Sequence, residues 1–168
     1  MKNFEAILVI LVILVGILIM VIYWAVDNLK ERKKRRQNSR ISLKESVDLA
    51  GIPIATFICG DNKLNFLLDT GSSISFINKE IINLIPHEKI HATSTVTGLG
   101  DSMESEHCKV KLQYKNMTFE DTFGVIDLSS AFNSVKKESG INLHGILGVS
   151  FFEKYKYILD FDELVFYR

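Results

Sequence analysis

The sequence predicts an all-β domain with one or two short helices, preceded by a single transmembrane helix. Three observations carry this. Ala6 to Val26 holds 21 residues without a charge. From Ala50 onward, β-branched and alternating runs are punctuated by turn residues. Within them, the apolar run Phe66-Leu67-Leu68 delivers Asp69 into a small polar turn, Thr70-Gly71-Ser72-Ser73, and an apolar run leaves it at Ile74. A chain of 168 residues is long enough for one such domain.

The N-terminal segment comes first. Residues 1–5 form a short tip. At a helical rise of about 1.5 Å per residue, residues 6–26 cover roughly 30 Å, the thickness of bilayer hydrocarbon. Tyr23 and Trp24 sit near one end, where amphipathic rings favour the interface. A cleavable signal has a shorter apolar core, preceding positive charge and a small-x-small site. Here the run is longer, Lys2 is the one preceding basic residue, and Val21-Ile22-Tyr23-Trp24 offers no such site. An uncleaved single-pass anchor is expected. The basic run Lys30-Glu31-Arg32-Lys33-Lys34-Arg35-Arg36 comes directly after it. By the positive-inside rule it places the domain on the cytoplasmic side, and it suits anionic headgroups of the bilayer. Residues 27–47 read as a basic juxtamembrane linker, and 48–168 as the folded domain.

Charge is divided unevenly. Of the 20 Lys/Arg and 20 Asp/Glu, eight and three lie in residues 1–40, leaving 12 and 17 beyond, about five negative. A mildly acidic domain argues against nucleic acid as a partner, which needs a basic face. Cys59 and Cys108 fall in strand-like runs and read as small buried apolar residues. Neither they nor His87, His91, His107 and His144 show ligand spacing, so no metal and no cofactor is expected.

Ile52 to Ile58 reads as a strand, with Pro53 near its start. Gly60-Asp61-Asn62-Lys63 is turn chemistry, and Leu64 to Leu68 the second arm of a hairpin. Ile74 to Ile77 is a short strand. Asn78 caps a short helix, Lys79 to Ile85, ended by Pro86. Ile90 to Thr97 is extended, and Gly98-Leu99-Gly100-Asp101 is a glycine-punctuated tip. Cys108, Val110, Leu112 and Tyr114 alternate with polar residues, one face in and one face wet. Met117 to Ile126 is another strand, and Ser129 to Gly140 one or two helical turns. His144 to Tyr155 reads as an apolar strand, a glycine turn and a short helix. A hairpin around Asp162-Glu163 ends the sequence, with Asp160 and Asp162 as turn residues.

Together, the strand ending in Asp69-Thr70-Gly71-Ser72, the glycine tip about 30 residues on, and Ile146-Leu147-Gly148 before a short helix resemble retropepsin-like aspartic proteases. The resemblance covers about residues 48–168. The late Leu159-Asp160-Phe161-Asp162 is similar to bacterial members. It implies a closed acid-protease barrel with one Asp-Thr-Gly per chain, two chains building one active site. It makes Asp69 the catalytic carboxylate, has Thr70 bond across the dimer, and lets the backbone approach closely at Gly71. It has Ser72 bond the carboxylate. Gly98, Leu99, Gly100 and Asp101 become the flap, and Ile146, Leu147 and Gly148 back the catalytic loop. Two departures stand out. Val149 occupies a position where retroviral members commonly carry Arg, and Ser72 rather than Ala looks like the pepsin branch.

The chemistry this implies is peptide hydrolysis. Two carboxylates about 3 Å apart cannot both ionise, so a pair holds one proton. One member activates water, and the other donates to the carbonyl oxygen. One Asp per chain therefore makes activity depend on a second copy, and tethering raises the effective concentration of both. With Ser72 bonding the anion, an acid-shifted pH optimum is expected. The rival expectation is a catalytically silent, membrane-tethered dimeric peptide-binding or adaptor module of the same fold. The intact Asp69-Thr70-Gly71 argues against it.

Overall fold

The computed structural model describes the backbone of residues 2–97 and 102–168, and the side chains of these except 2–10, 12, 35, 91–97 and 102–104. It divides into two compact units, Met1–Asn38 and Ser39–Arg168.

The first unit is essentially one helix, α1 (Lys2–Ser39). Among the described residues, one helical stretch, Ile13–Ser39, is long and apolar enough to cross a membrane by length and composition. The helix does not end with the apolar run at Val26. Lys, Arg, Glu and Gln are good helix formers, and they carry it through the basic stretch to Ser39.

The second unit begins earlier than the sequence suggests. The stretch read as a linker instead supplies β1 (Ile41–Ser42) and α2 (Lys44–Ala50). Ile41 and Leu43 are buried in the main core. Their burial offsets the cost of ordering a polar-looking segment.

The remaining strands are β2 (Ile54–Cys59), β3 (Asn62–Leu68), β4 (Ser75–Asn78), β5 (His87–Thr97), β6 (Ser102–Tyr114), β7 (Met117–Ile126), β8 (Gly145–Leu147), β9 (Ile158–Asp160) and β10 (Val165–Tyr167). The large sheet runs β2-β3-β8-β4-β7-β6-β5, and β6 returns to β2 through Ile58 and Gln113. Six strands thus close into a barrel, and β5 extends beyond it on β6. Closure removes the open edges that an exposed sheet would leave. A second sheet, β1-β10-β9, pairs Ile41 with Phe166 and Phe166 with Leu159.

Among its described residues the second unit carries four helices where one or two were expected: α2, α3 (Lys79–Ile82), α4 (Ser129–Ser139) and α5 (Val149–Tyr155). Helix α4 is a full three turns. Its buried Phe132 belongs to a satellite apolar cluster with Ile54 and Leu143, against which Leu128 and Val135 pack. That apolar face stabilises the helix beyond its weak intrinsic propensity.

The main core is aromatic. Phe57, Phe66, Phe119, Phe123, Phe151 and Phe166 are all essentially inaccessible. Phe151 lies 5.6 Å from Phe119 and 6.4 Å from Phe166, ring centre to ring centre. Through it, the small sheet is packed onto the barrel by way of α5. Cys59 and Cys108 are both buried and free, as their strand settings suggested.

Candidate active site

The loop bearing Asp69 is shaped by the strand between its two arms. β3 leads into residues 69–74 and β4 leads out, and the two are separated in the sheet by β8. Leu67 and Leu68 pair in parallel with Ile146 and Leu147, while Phe76 and Ile77 pair antiparallel with Ile146 and Gly145. Ile146-Leu147-Gly148 therefore lies directly behind the loop. The Asp69 N–H extends the ladder by one bond, donating to the Leu147 carbonyl at 3.0 Å.

The turn itself is closed locally. The Gly71 N–H donates to Asp69 Oδ1 at 2.8 Å, and the Ser72 N–H to the Asp69 carbonyl at 3.3 Å. A Cβ on Gly71 would lie 3.1 Å from Asp69 Oδ1. The residue after Thr70 is thus held against the carboxylate, where a larger side chain crowds it. Asp69 is half-buried, and Thr70, Gly71 and Ser73 are exposed. The carboxylate sits at a presented surface.

Ser72 departs from expectation. Its hydroxyl proton goes to the Ile74 carbonyl at 2.7 Å and not to the Asp69 carboxylate. A hydroxyl has one proton to donate, and in this turn it goes to the carbonyl two residues on. The carboxylate receives a backbone N–H instead, so the Ser72 reason for an acid-shifted optimum falls away.

Three further contacts hold the loop from behind. The Val149 N–H donates to the Ser72 carbonyl at 2.8 Å, and the Ser150 N–H to the Ser73 carbonyl at 3.1 Å. The Gly148 N–H donates to the buried Ser75 Oγ at 3.2 Å. A Cβ on Gly148 would meet Ile74 backbone atoms and come within 2.7 Å of the Ser72 carbonyl oxygen. Only glycine admits this approach.

Sequence reading missed Ser75 as a supporting residue. A small polar residue inside an otherwise apolar strand is the signal that marks it. It also left His144 without an assigned partner. The Asn65 N–H donates to His144 Nδ1 at 2.9 Å, which makes Nδ1 the acceptor and leaves the proton on Nε2. Burial holds this imidazole below its ordinary pKa. The expected flap, Gly98-Leu99-Gly100-Asp101, lies outside the described residues. The pairing of β5 with β6 runs up to Thr97 and Ser102 on either side of it. A groove of about 400 Å³, lined in part by Leu49, Ile54, Thr56, Asn65 and Tyr114, opens elsewhere and does not include Asp69.

No protein-family model matches the chain, and no curated protein sequence matches it. Among solved structures it is similar to EIAV protease complexed with the inhibitor HBY-793, at 20% identity and a TM-score of 0.49, over 62% of this chain and 88% of that one.

Proposed function

We propose that the chain is half of a membrane-tethered aspartic endopeptidase, in which two copies each contribute Asp69 to one active site. The observation that carries this is the Asp69 loop. A carboxylate leaves a barrel strand, is gripped by Gly71 N–H, is backed by Leu147 and Gly148, and stands at an exposed surface. A structural turn aspartate has no need of a second strand wedged behind it.

In the dimer the two carboxylates share one proton. The ionised member takes a proton from water as the oxygen attacks the scissile carbonyl. The protonated member donates to the carbonyl oxygen, giving a neutral gem-diol. Collapse breaks the C–N bond, and the amine leaves with a proton from the pair. Gly71 N–H fixes one Asp69 oxygen, which orients the carboxylate before substrate arrives. The exposure of Thr70 supports a bond from it to the partner's loop. Anchoring by α1 confines both copies to one surface, and the basic run places the domain on the cytoplasmic side.

The test is cleavage of a peptide library by the full chain in lipid nanodiscs holding two copies, against Asp69→Asn. Cleavage by the first and none by the second supports the reading. Cleavage unchanged by Asp69→Asn assigns the activity to other chemistry. Peptide binding without any turnover points to the silent adaptor module. Protease protection of the domain in inside-out vesicles would overturn the cytoplasmic assignment.

A further inference from the structure

Helix α5 touches the Asp69 loop with its first turn and β7 with its last. At the first turn, Val149 and Ser150 donate to the carbonyls of Ser72 and Ser73. At the last, Lys154 Nζ donates to the Glu120 carbonyl at 2.6 Å and to Asp121 Oδ1 at 3.0 Å. The Tyr155 hydroxyl donates to the same Glu120 carbonyl at 2.6 Å. Two consecutive α5 side chains therefore converge on two consecutive β7 residues.

We propose that Lys154 and Asp121 form a positioning clamp that sets the Asp69 loop at a distance, acting through α5; this rests on the reading of that loop as half of a protease site. Seven helical residues span about 10 Å, short enough to move as one rigid body. A shift at Lys154 therefore reaches the Val149 and Ser150 N–H groups undamped. β7 is the right strand to anchor against, because its Phe123 pairs with Ser75, where the loop rejoins the barrel. One strand thus fixes both the exit of the loop and the far end of the helix that holds it.

The pair is more than a surface ion pair. Asp121 is buried, and its Oδ2 has no hydrogen-bond partner among the described residues. Lys154 is half-exposed, so it brings charge to a carboxylate that water barely reaches. A buried carboxylate in an aromatic-rich domain stabilises poorly by comparison with an apolar residue of its size. Its presence in β7 makes sense as a device that fixes geometry.

The test is hydrogen exchange at the Gly71, Val149 and Ser150 amides of the full chain in nanodiscs, for Lys154→Met, Asp121→Asn, Lys154→Arg and the control Val110→Ala. Val110 is buried on β6, directly opposite Asp121. Lys154→Met and Asp121→Asn are expected to lower protection at these amides about tenfold by local opening, with Lys154→Arg restoring it. Val110→Ala is expected to lower the melting temperature without this local change. Where the wild type cleaves peptides, kcat should fall roughly three- to tenfold in Lys154→Met with KM little changed. Wild-type protection at the three amides in Lys154→Met overturns the clamp, as does an equal loss in Val110→Ala. An inactive wild type overturns the protease reading alone, since the exchange measurement still decides the clamp.

Discussion

The backbone N–H of Asp69 donates to the carbonyl of Leu147, 78 positions later in the chain, at 3.0 Å. The position of the carboxylate is thus not a property of the turn that contains it. It is set by a three-residue strand wedged between the two arms of the loop, and by Gly148 and helix α5 beyond that strand.

The most direct consequence concerns Gly148 and Ser75. Gly148→Ala places a methyl against Ile74 backbone and the Ser72 carbonyl, which cannot yield without moving the loop. We expect a loss of about 3 kcal/mol or more in urea unfolding. Ser75→Ala leaves the Gly148 N–H without its acceptor, at a cost of about 1–3 kcal/mol. A stability within error of wild type for Gly148→Ala would show that the backing loop is looser than its contacts imply.

The burial of His144 makes stability depend on pH. The folded imidazole is held below its ordinary pKa by burial, so the unfolded chain binds the proton first as pH falls. The contribution is therefore complete above the unfolded value, about 6.5, and is lost as pH drops below it. Protonation also turns Nδ1 from acceptor to donor, facing the Asn65 N–H. His144→Gln should flatten the stability profile below about pH 6.5. An identical slope in the variant and the wild type would assign the pH dependence to other groups.

The domain boundary has its own test. A fragment starting at Asn38 retains Ile41 and Leu43; one starting at Gly51 loses both. Burying these two side chains contributes about 3–6 kcal/mol, a large part of a typical domain's stability. The longer fragment should unfold cooperatively and the shorter one should not. Under the proposed tethering by α1, the longer fragment, which lacks that helix, should dimerise only weakly in analytical ultracentrifugation.

The buried titratable groups give a spectroscopic check. Burial, helped by the neighbouring Cys59, pushes the Cys108 thiol up to about 11, and burial pushes the Tyr157 phenol up to about 12. At pH 8 the native protein should react with a thiol reagent slowly at Cys59 and Cys108, and quickly once unfolded. Tyrosinate absorbance should show a phenol, Tyr157, that ionises well above the ordinary tyrosine range of about 10. Rapid labelling of both thiols in the native state would mean that the barrel opens far more readily than its packing implies.

Much of the barrel was legible because its signals are local. Alternation from Cys108 to Tyr114 needs only neighbours to be read, and so does the apolar delivery of Asp69 into its turn. The missed elements depend on distant partners. Ile41-Ser42-Leu43 looks like linker until Val165 and Phe166 lie beside it. Lys154 and Asp121 are ordinary surface residues on their own segments. The Ser72 hydroxyl was misassigned for the opposite reason. The acceptor it takes, Ile74, is so close in sequence that only the turn's backbone geometry distinguishes it from the carboxylate.

The pairing of β1 with β10 also bears on how the protein is made. Ile41 and Phe166 are partners, yet synthesis delivers them more than a hundred residues apart. When the apolar helix and the first strand emerge, the edge that β1 must join does not yet exist. Helix α1 is complete while the barrel is still a collection of incomplete strands. Ile41 and Leu43 must then wait, exposed, until β10 arrives. Closing so long a loop is slow. The nascent domain therefore passes through an interval in which a chaperone is the natural cover for these two side chains.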